Sequence, residues 1–285
     1  MSTRAPTSPL SPSENSAWRA PWAWIEEPIS AEGTPSAVAR AEGTFERSWY
    51  QGRGAYGGVV AALAMRAMQR LEPNRPPRTF TLHFTAPAVE GPGEVSARVM
   101  SVGRKVSHLS AEVRAQGQLA GFASATFALP RESMINAPAS PPPQAPHFSE
   151  VPVLDSRLMP PSLTFTKNVD FRFCVGHLPY SKAPESVVGG WCDFKGEPPL
   201  DFPMLAALLD VWPPAIFVSL TGLKMAASVD LTYHFIADDL SQLKRPFLYR
   251  GEALSVTDGY VEERDELWDA EGRPIATARQ LIAVG

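Results

Sequence analysis

The stretch LDFPMLAALLDVW, residues 200–212, decides the fold. Between Phe202 and Trp212 it is apolar except for one carboxylate, Asp210. A second stretch, GRGAYGGVVAALAMRAMQRL at residues 52–71, has almost no polar position between its paired glycines and Arg66. A helix that is apolar nearly all round must be buried on every side. Antiparallel strands that follow such a helix can bury it by wrapping around it, so each stretch predicts the centre of one small unit.

The surroundings of the two helices repeat. Segments that alternate or run as strands precede and follow each helix, in the order strand, helix, four strands, and GTFERSWYQ (43–51) is predicted as the strand before the first helix. FTLHF (80–84) matches LTYHF (231–235), and GQLAGFASATF (117–127) matches GRPIATARQLI (272–282). Landmarks in the same order indicate an internal duplication of about 100 residues.

The prolines divide the chain. Of 29 prolines, many fall in the first 30 residues and in a run between the two repeats. We therefore expect four parts: an N-terminal extension that is partly disordered (1–38), a first unit (39–130), a Pro-rich linker (131–161) and a second unit (162–285).

Composition excludes several classes of protein. The chain has 285 residues, with 26 Lys and Arg against 30 Asp and Glu, so no basic field favours nucleic acid. Two cysteines, Cys174 and Cys192, are too few for a disulfide framework or a zinc knuckle. The polar N-terminus lacks a secretory h-region, and no apolar run is long enough to span a membrane. We expect a cytoplasmic protein without a membrane or nucleic-acid partner.

Several segments together resemble a known family, the double-hotdog acyl-CoA thioesterases of the bacterial thioesterase II type. The similarity runs from about residue 43 to residue 285, apart from the linker. The segments that carry it are GRGAYGGVVAALAMRA (52–67), TFTLHFTAPAVEGP (79–92), VGRKVSHLSAEV (102–113), LLDVWPPA (208–215), ASVDLTYHF (227–235) and LWDAEGRPIATARQ (267–280). The resemblance implies an α+β tandem hotdog, in which each half is an antiparallel β-sheet wrapped around a central α-helix. It also implies a homo-oligomer that acts on acyl-CoA or on an acyl carrier protein thioester, with no metal or redox cofactor.

Asp210 is the most specific single residue. Asp201 or its neighbours can cap the helix, and Pro213 and Pro214 end it by about Trp212, so Asp210 is predicted in its last turn. A carboxylate there faces the negative end of the helix dipole, which costs about 0.3–1 kcal/mol. The matching position in the first block is Met65, so the fold does not demand an acid. A solvated helix end is one interpretation. The resemblance implies the other, in which Asp210 is the general base.

Gln280 shares one face of its predicted strand with small and apolar residues. Alternation in PIATARQLIAV places it with Ala276, Ala278 and Ile282, whereas the first block has Ala125 at this point. A buried amide without partners is costly, so Gln280 needs a hydrogen-bonded role. It is either a structural glutamine bonded to backbone or, as the resemblance implies, the residue that holds the water.

Ser228 stands where the resemblance expects a hydroxyl, usually Thr, before a Val-Asp or Ile-Asp pair. Strand alternation places it with Asp230, Thr232 and His234 on a polar face, which fits a strand start near a cleft and an exposed edge equally well. These side chains point in parallel from one strand, so Ser228, Asp230 and His234 are not expected to form a catalytic triad. Serine keeps the hydrogen bond of threonine and loses a methyl group.

Other residues complete the predicted site. Backbone N–H groups of Gly57 and Gly58, at the start of the first helix, would face a developing oxyanion, although tight packing of the turn is the alternative. Arg53, Arg104 and Lys105 could meet the phosphates of CoA, or lie on a solvated surface. No motif for a metal site is present.

The expected activity is hydrolysis of acyl-CoA to free acid and CoA by a water that Asp210, Ser228 and Gln280 activate. A double hotdog that binds acyl thioesters without catalysis, or serves as a scaffold, is the alternative. The acyl chain length and the choice between CoA and a carrier protein do not follow from the sequence.

Overall fold

A computed structural model describes residues 20–24, 38–135, 137, 139–222 and 224–285. These residues form the helices α1 (Gly57–Leu71) and α2 (Phe202–Leu208) and the strands β1 (Val38–Phe45), β2 (Tyr50–Gln51), β3 (Gly54–Ala55), β4 (Pro77–Phe84), β5 (Gly91–Val102), β6 (Val106–Ala115), β7 (Gln118–Ala128), β8 (Val169–Gly176), β9 (Val187–Phe194), β10 (Ala226–Phe235), β11 (Phe247–Thr257), β12 (Tyr260–Trp268) and β13 (Pro274–Val284).

One antiparallel sheet of 11 strands runs through both halves, in the order β1-β5-β6-β7-β4-β10-β13-β12-β11-β9-β8. The two halves meet where β4 pairs with β10, which places Thr81 opposite Thr232. Their hydroxyl oxygens lie 3.1 Å apart, and the rings of Phe80 and Tyr233 stack beside them. The two segments that match in sequence are therefore each other's partners, as expected when duplicated units meet about a two-fold axis.

The strand register fixes which residues of the two halves are equivalent. Phe80 pairs with Ala125 in the first half, and Leu231 pairs with Gln280 in the second. Because Phe80 and Leu231 occupy matching places in FTLHF and LTYHF, Ala125 is the equivalent of Gln280, in agreement with the sequence match.

The helices are buried, as their composition predicts. Every residue of α2 is buried, and α1 packs against strands of the first half and against α2. Asp201 caps α2 by accepting a hydrogen bond from the Met204 N–H at 2.8 Å, and Pro203 lies in the first turn. The α-helix ends at Leu208, earlier than the sequence suggested.

Asp210 consequently lies in a turn beyond α2, and the prediction that it lies inside the last helical turn is wrong. The Asp210 N–H donates to the Ala207 carbonyl at 3.2 Å, which is the tighter bonding of a 3₁₀ turn. The prolines at 213 and 214 prevent continuation of the helix and favour this early tightening.

The segment before α1 also differs from expectation. GTFERSWYQ was predicted as one strand, but β1 ends at Phe45 and a 3₁₀ helix follows over Arg47–Trp49. Trp49 is buried there and its ring stacks on Tyr56, the residue that precedes α1. Burial of this indole favours the turn over a longer strand.

The Pro-rich segment packs on the second half. The indole N–H of Trp191 donates to the Pro146 carbonyl at 2.9 Å, and that of Trp268 donates to the Ser140 carbonyl at 3.2 Å. Trp191 and Trp268 belong to a small apolar cluster on the sheet face away from the helices. The segment therefore covers the outer face of this half.

The predicted disorder of the N-terminal extension concerns residues outside those described, apart from Val38, which begins β1, and the short piece 20–24. Within that short piece Trp22 is buried, and its ring packs edge-on against Trp49 and Phe194.

Candidate active site

Asp210 lies against the start of α1. A Cβ atom on Gly57 would come within 2.6 Å of Asp210 Oδ2, and one on Gly58 within 2.6 Å of the Ala207 carbonyl oxygen. Only glycine lets the turn after α2 approach α1 this closely. The Gly58 N–H donates a hydrogen bond to the Asp210 carboxylate. Asp210 therefore faces the positive end of α1, which offsets its unfavourable place after α2.

The environment of Asp210 weakens its acidity. The residue is partly exposed, yet desolvation of its carboxyl group, together with the nearby charge of Asp265, raises its pKa to about 7, against the opposing effect of the Gly58 N–H. A carboxyl group with a pKa near neutrality is suited to accept and return a proton at neutral pH.

Gln280 is buried on β13, and the predicted alternation is confirmed, because Ala276, Ala278 and Ile282 are buried on the same face. The Ser228 hydroxyl donates a hydrogen bond to Gln280 Oε1 at 3.1 Å. The structure thus brings together two of the residues that the sequence singled out.

Ser228 reaches Gln280 because of a β-bulge that the sequence analysis did not foresee. Ser228 lies opposite Ile282 and Asp230 lies opposite Leu281, so Val229 is an extra residue in β10. Asp230 Oδ1 accepts the Leu281 N–H at 3.0 Å beside the bulge. The extra residue turns Ser228 from the outer face to the inner face of the sheet.

The prediction that Ser228 shares a face with Asp230, Thr232 and His234 is therefore wrong. A one-residue shift reverses the side on which every earlier residue of a strand lies. Because the bulge breaks the alternation, the hydroxyl lies on the side of the sheet that holds the buried amide.

Two further carboxylates lie on the inner face of β12. Asp265 Oδ1 accepts the Tyr249 hydroxyl at 2.6 Å, and Asp265 Oδ2 lies 3.5 Å from Gln280 Nε2. Glu263 Oε2 accepts the Ala215 N–H at 2.6 Å. Both carboxylates are fully buried. A hydrogen-bonded chain thus joins Ser228, Gln280 and Asp265, and the charge of Asp265 acts on Asp210 through space.

Sequence reasoning missed this pair, although a signal was present. In VEERDEL, residues 261–267, the apolar Val261 and Leu267 share a strand face with Glu263 and Asp265. Alternation alone would have placed both acids in the interior.

Burial also governs the acidity of this pair. It raises the pKa of Asp265 to about 7, while hydrogen bonds from Tyr249, Glu263 and Gln280 act in the opposite direction. Burial and the neighbouring Asp265 hold the pKa of Glu263 well above its usual range. Within the described residues, no three His, Cys, Asp or Glu side chains are grouped to hold a metal ion.

Comparison with known proteins identifies the family. The model of the acyl-CoA thioesterase N-terminal domain matches residues 45–128, and that of the C-terminal domain matches residues 138–284. The chain belongs to the acyl-CoA thioesterase family. The sequence resemblance to this family is therefore confirmed. No curated protein is significantly similar to the chain.

Solved structures share the fold. A hotdog-fold protein of unknown function from Alicyclobacillus acidocaldarius is 25% identical, with a TM-score of 0.79 over 87% of this chain and 93% of that one. A putative thioesterase II from Thermobifida fusca is 22% identical, with a TM-score of 0.71 over 88% and 96%. An acyl-CoA thioesterase II from Mycobacterium marinum is 17% identical, with a TM-score of 0.67 over 87% and 93%.

The residues predicted to contact the phosphates of CoA lie at two different ends of α1. Arg53 is exposed in the β2–β3 hairpin, four residues before Gly57, and so lies at the Asp210 end of α1. Arg104 and Lys105 are exposed between β5 and β6.

Arg104 and Lys105 lie at the other end of α1. Arg75, four residues beyond that helix, donates to the Gly103 carbonyl at 3.2 Å. A helix of 15 residues is about 22 Å long, so the structure does not bring Arg104 and Lys105 to Asp210. They line an open surface depression of about 890 Å³ with Arg131 and Glu132.

No helix in the described part of this thioesterase-family chain is long and apolar enough to cross a membrane.

Proposed function

We propose that this chain hydrolyses acyl-CoA thioesters by direct attack of water, with Asp210 as the general base. The observation that carries the proposal is the position of the Asp210 carboxylate. It lies at the start of α1, close enough to Asp265, in the hydrogen-bonded chain with Gln280 and Ser228, for the charge of Asp265 to raise its pKa. Family membership supports a thioester as substrate.

In the proposed reaction, Asp210 takes a proton from water as the water oxygen bonds to the thioester carbonyl carbon. The carbonyl electron pair moves to oxygen, and the N–H groups of Gly57 and Gly58 face the resulting oxyanion. When that pair returns, the carbon–sulfur bond breaks, and the proton on Asp210 passes to the departing thiolate. The products are the free acid and CoA.

Gly58 has two partners in this scheme. Its N–H donates to Asp210 while that carboxyl is ionised. Protonation of Asp210 removes this charge just as negative charge appears on the substrate oxygen. The same N–H then has a stronger acceptor in the oxyanion.

Ser228 and Gln280 hold the water in the proposal, and Arg53 meets the phosphates of CoA. Arg104 and Lys105 are not included in this phosphate contact, because they lie beyond the far end of α1. Their contact with the phosphates stays a prediction from the sequence. We further propose that α1 and α2 are the central helices of two hotdog units bounded as predicted, and that the protein is a cytoplasmic homo-oligomer.

The experiment that tests the proposal is release of free thiol from short, medium, long and aromatic acyl-CoAs. The wild-type chain is expected to turn over at least one of them. Asp210→Asn should lower kcat/KM by about 10²–10⁴-fold, because an amide cannot accept the proton. Its melting temperature should be unchanged or higher, since the replaced carboxylate is desolvated.

Two outcomes would contradict this assignment. Wild-type activity in Asp210→Asn would remove Asp210 from the mechanism. Binding of acyl-CoA without turnover of any substrate would favour a non-catalytic acyl-thioester-binding or scaffold protein. Serine in place of the usual threonine at position 228 is the feature that supports this alternative, although its hydroxyl donates a hydrogen bond to Gln280.

A further inference from the structure

The amide of Gln280 has two possible orientations, and only one suits the proposed water. Ser228 donates its hydroxyl hydrogen to Oε1, which requires the amide oxygen to face β10. The amide nitrogen then carries two hydrogens for other partners. A reversed amide would present N–H groups to the serine and an oxygen to the interior.

Asp265 is placed to select between these orientations. Its Oδ2 lies 3.5 Å from Gln280 Nε2, and its Oδ1 accepts the Tyr249 hydroxyl at 2.6 Å. An ionised carboxylate can only accept hydrogen bonds, so it favours the amide nitrogen and repels the amide oxygen. One Nε2 hydrogen faces Asp265, and the second is left for the water. The 3.5 Å separation is long, but such contacts often tighten when substrate binds.

The backbone makes room for this contact. A Cβ on Gly251 would come within 2.9 Å of the Tyr249 hydroxyl and 3.1 Å of Asp265 Oδ1. Any larger residue at position 251 would crowd the hydrogen bond between Tyr249 and Asp265.

The first half of the chain shows that the fold does not require the acid. The strand registers make Ala111 the equivalent of Asp265 and Val95 the equivalent of Tyr249, just as Ala125 is the equivalent of Gln280. All three first-half residues are buried in the core. A carboxylate is costly to bury, so its presence in only the half that carries Gln280 needs a reason beyond packing.

We propose that Asp265 is a positioning residue that orients the Gln280 amide, with Tyr249 holding its second oxygen. The inference rests on the proposed hydrolysis for its catalytic meaning. The orientation of the amide, however, can be measured without turnover.

The test compares Asp265→Asn with the wild type. An asparagine can place an N–H beside Gln280 and so permits the reversed amide. We expect kcat to fall about 10- to 100-fold, the value of one hydrogen bond to a charged group, with KM within about threefold. Tyr249→Phe keeps the Asp265 carboxylate and removes one of its hydrogen-bond donors. This variant should lower kcat less than Asp265→Asn does, and it should perturb folding less.

The pH–rate profile separates positioning from a structural role. Asp265 is one cause of the raised pKa of Asp210, so Asp265→Asn should move the acid limb of the profile to lower pH. The other titratable groups near Asp210 are Tyr56, Tyr233, Tyr249 and Glu263. Burial raises the pKa of each of them, so the three tyrosines stay protonated near neutral pH, and Asp265 is the group whose replacement removes a charge that acts on Asp210. A loss of kcat without this shift would assign Asp265 a structural role and overturn the proposal.

An activity-independent measurement uses the side-chain NH₂ signals of Gln280 in ¹⁵N NMR, assigned by their loss in Gln280→Ala. One hydrogen should resonate downfield and follow the titration of Asp265, and Asp265→Asn should abolish this. Glu262→Gln is the matched control, because Glu262 lies on the outer face of β12 and pairs with Arg279. Unchanged amide signals in Asp265→Asn would overturn the inference even if the wild type hydrolyses acyl-CoA. Shifted signals in a chain without turnover would leave the positioning intact and reject only the hydrolysis.

Discussion

The two halves of the molecule share one topology and differ in what they bury. The strand registers make Leu109 the equivalent of Glu263. Met65 is the equivalent of Asp210, because the two residues lie at the same distance along the chain from the N-caps of their helices, Tyr56 and Asp201. At these positions, and at the equivalents of Tyr249, Asp265 and Gln280, the first half is apolar and buried, with Met65, Val95, Leu109, Ala111 and Ala125. Five polar groups thus occur together in one half and are missing together from the other.

The starts of the two helices differ in the same sense. α1 begins with Gly57 and Gly58; Asp210 lies against Gly57 and accepts the Gly58 N–H. α2 begins with Phe202 and Pro203, and proline has no N–H to offer. A site of the proposed kind needs N–H groups at the start of a helix in one half and polar side chains in the interior of the other half. The molecule assembles this combination once.

The difference shows that the same strand register accommodates either interior. Buried ionisable groups are often replaced by apolar residues at no cost, or with a gain in stability. The polar interior of the second half is therefore best understood as a requirement of chemistry, and the first half as what the fold adopts without it.

The largest effect on stability is expected when an acid is placed in the apolar interior of the first half. Met65→Asp should lower the free energy of unfolding by about 3–5 kcal/mol, because it would place a carboxylate at a position that is fully buried in the apolar core. Urea unfolding measures the change. Met65→Leu, which keeps the volume, should cost less than about 1.5 kcal/mol. Equal stability of the two variants would show that the first half can accommodate a charge after all.

Much of this comparison could be read from the sequence. Apolar composition identified both helices, and period-two alternation identified the strands that match between the halves. The equivalence of Ala125 and Gln280 followed from aligned letters and is confirmed by the register. Such features were predictable because they are local and repeat along the chain.

What escaped prediction depends on contacts between distant segments. The bulge at Val229 is a single extra residue whose effect appears only when β10 is aligned with β13. The early end of α2 and the approach of Asp210 to Gly57 depend on how two helices pack. The pairing of Asp265 with Gln280 needs the order of strands in the sheet, which local patterns do not specify.

Removing the amide should make the second half resemble the first at one position. Gln280→Ala, which introduces the residue of the other copy, should lower kcat/KM by about 100-fold, within the range for loss of a group that positions a reactant. A thiol-release assay measures it. Arg279→Ala, on the exposed outer face of the same strand, is the control and should keep wild-type activity. Wild-type rates in both variants would contradict a role for Gln280 in holding the water.

The halves should also differ in their response to pH. The folded-state pKa of Asp210 is about 7, above the unfolded value of about 3.9. The native state therefore retains a proton that the unfolded chain loses, and the free energy of unfolding should fall as pH rises from about 4 to 7. Activity should change in the opposite direction, since the base works only when ionised. Urea unfolding at pH 5 and pH 8 tests this, and a pH slope in Asp210→Asn as steep as in the wild type would contradict it.

The smallest expected effect concerns Ser228, where the family resemblance expects threonine. Ser228→Thr keeps the hydroxyl that donates to Gln280 Oε1 and adds a methyl group beside a bulge. Because the hydrogen bond is retained, kcat should change by less than about tenfold, or about 1.4 kcal/mol. Ser228→Ala removes the donor and should reduce kcat further, so the two variants separate the hydroxyl from the methyl group. If both lower kcat equally, the inward position of the side chain, rather than its hydrogen bond, is what the bulge provides.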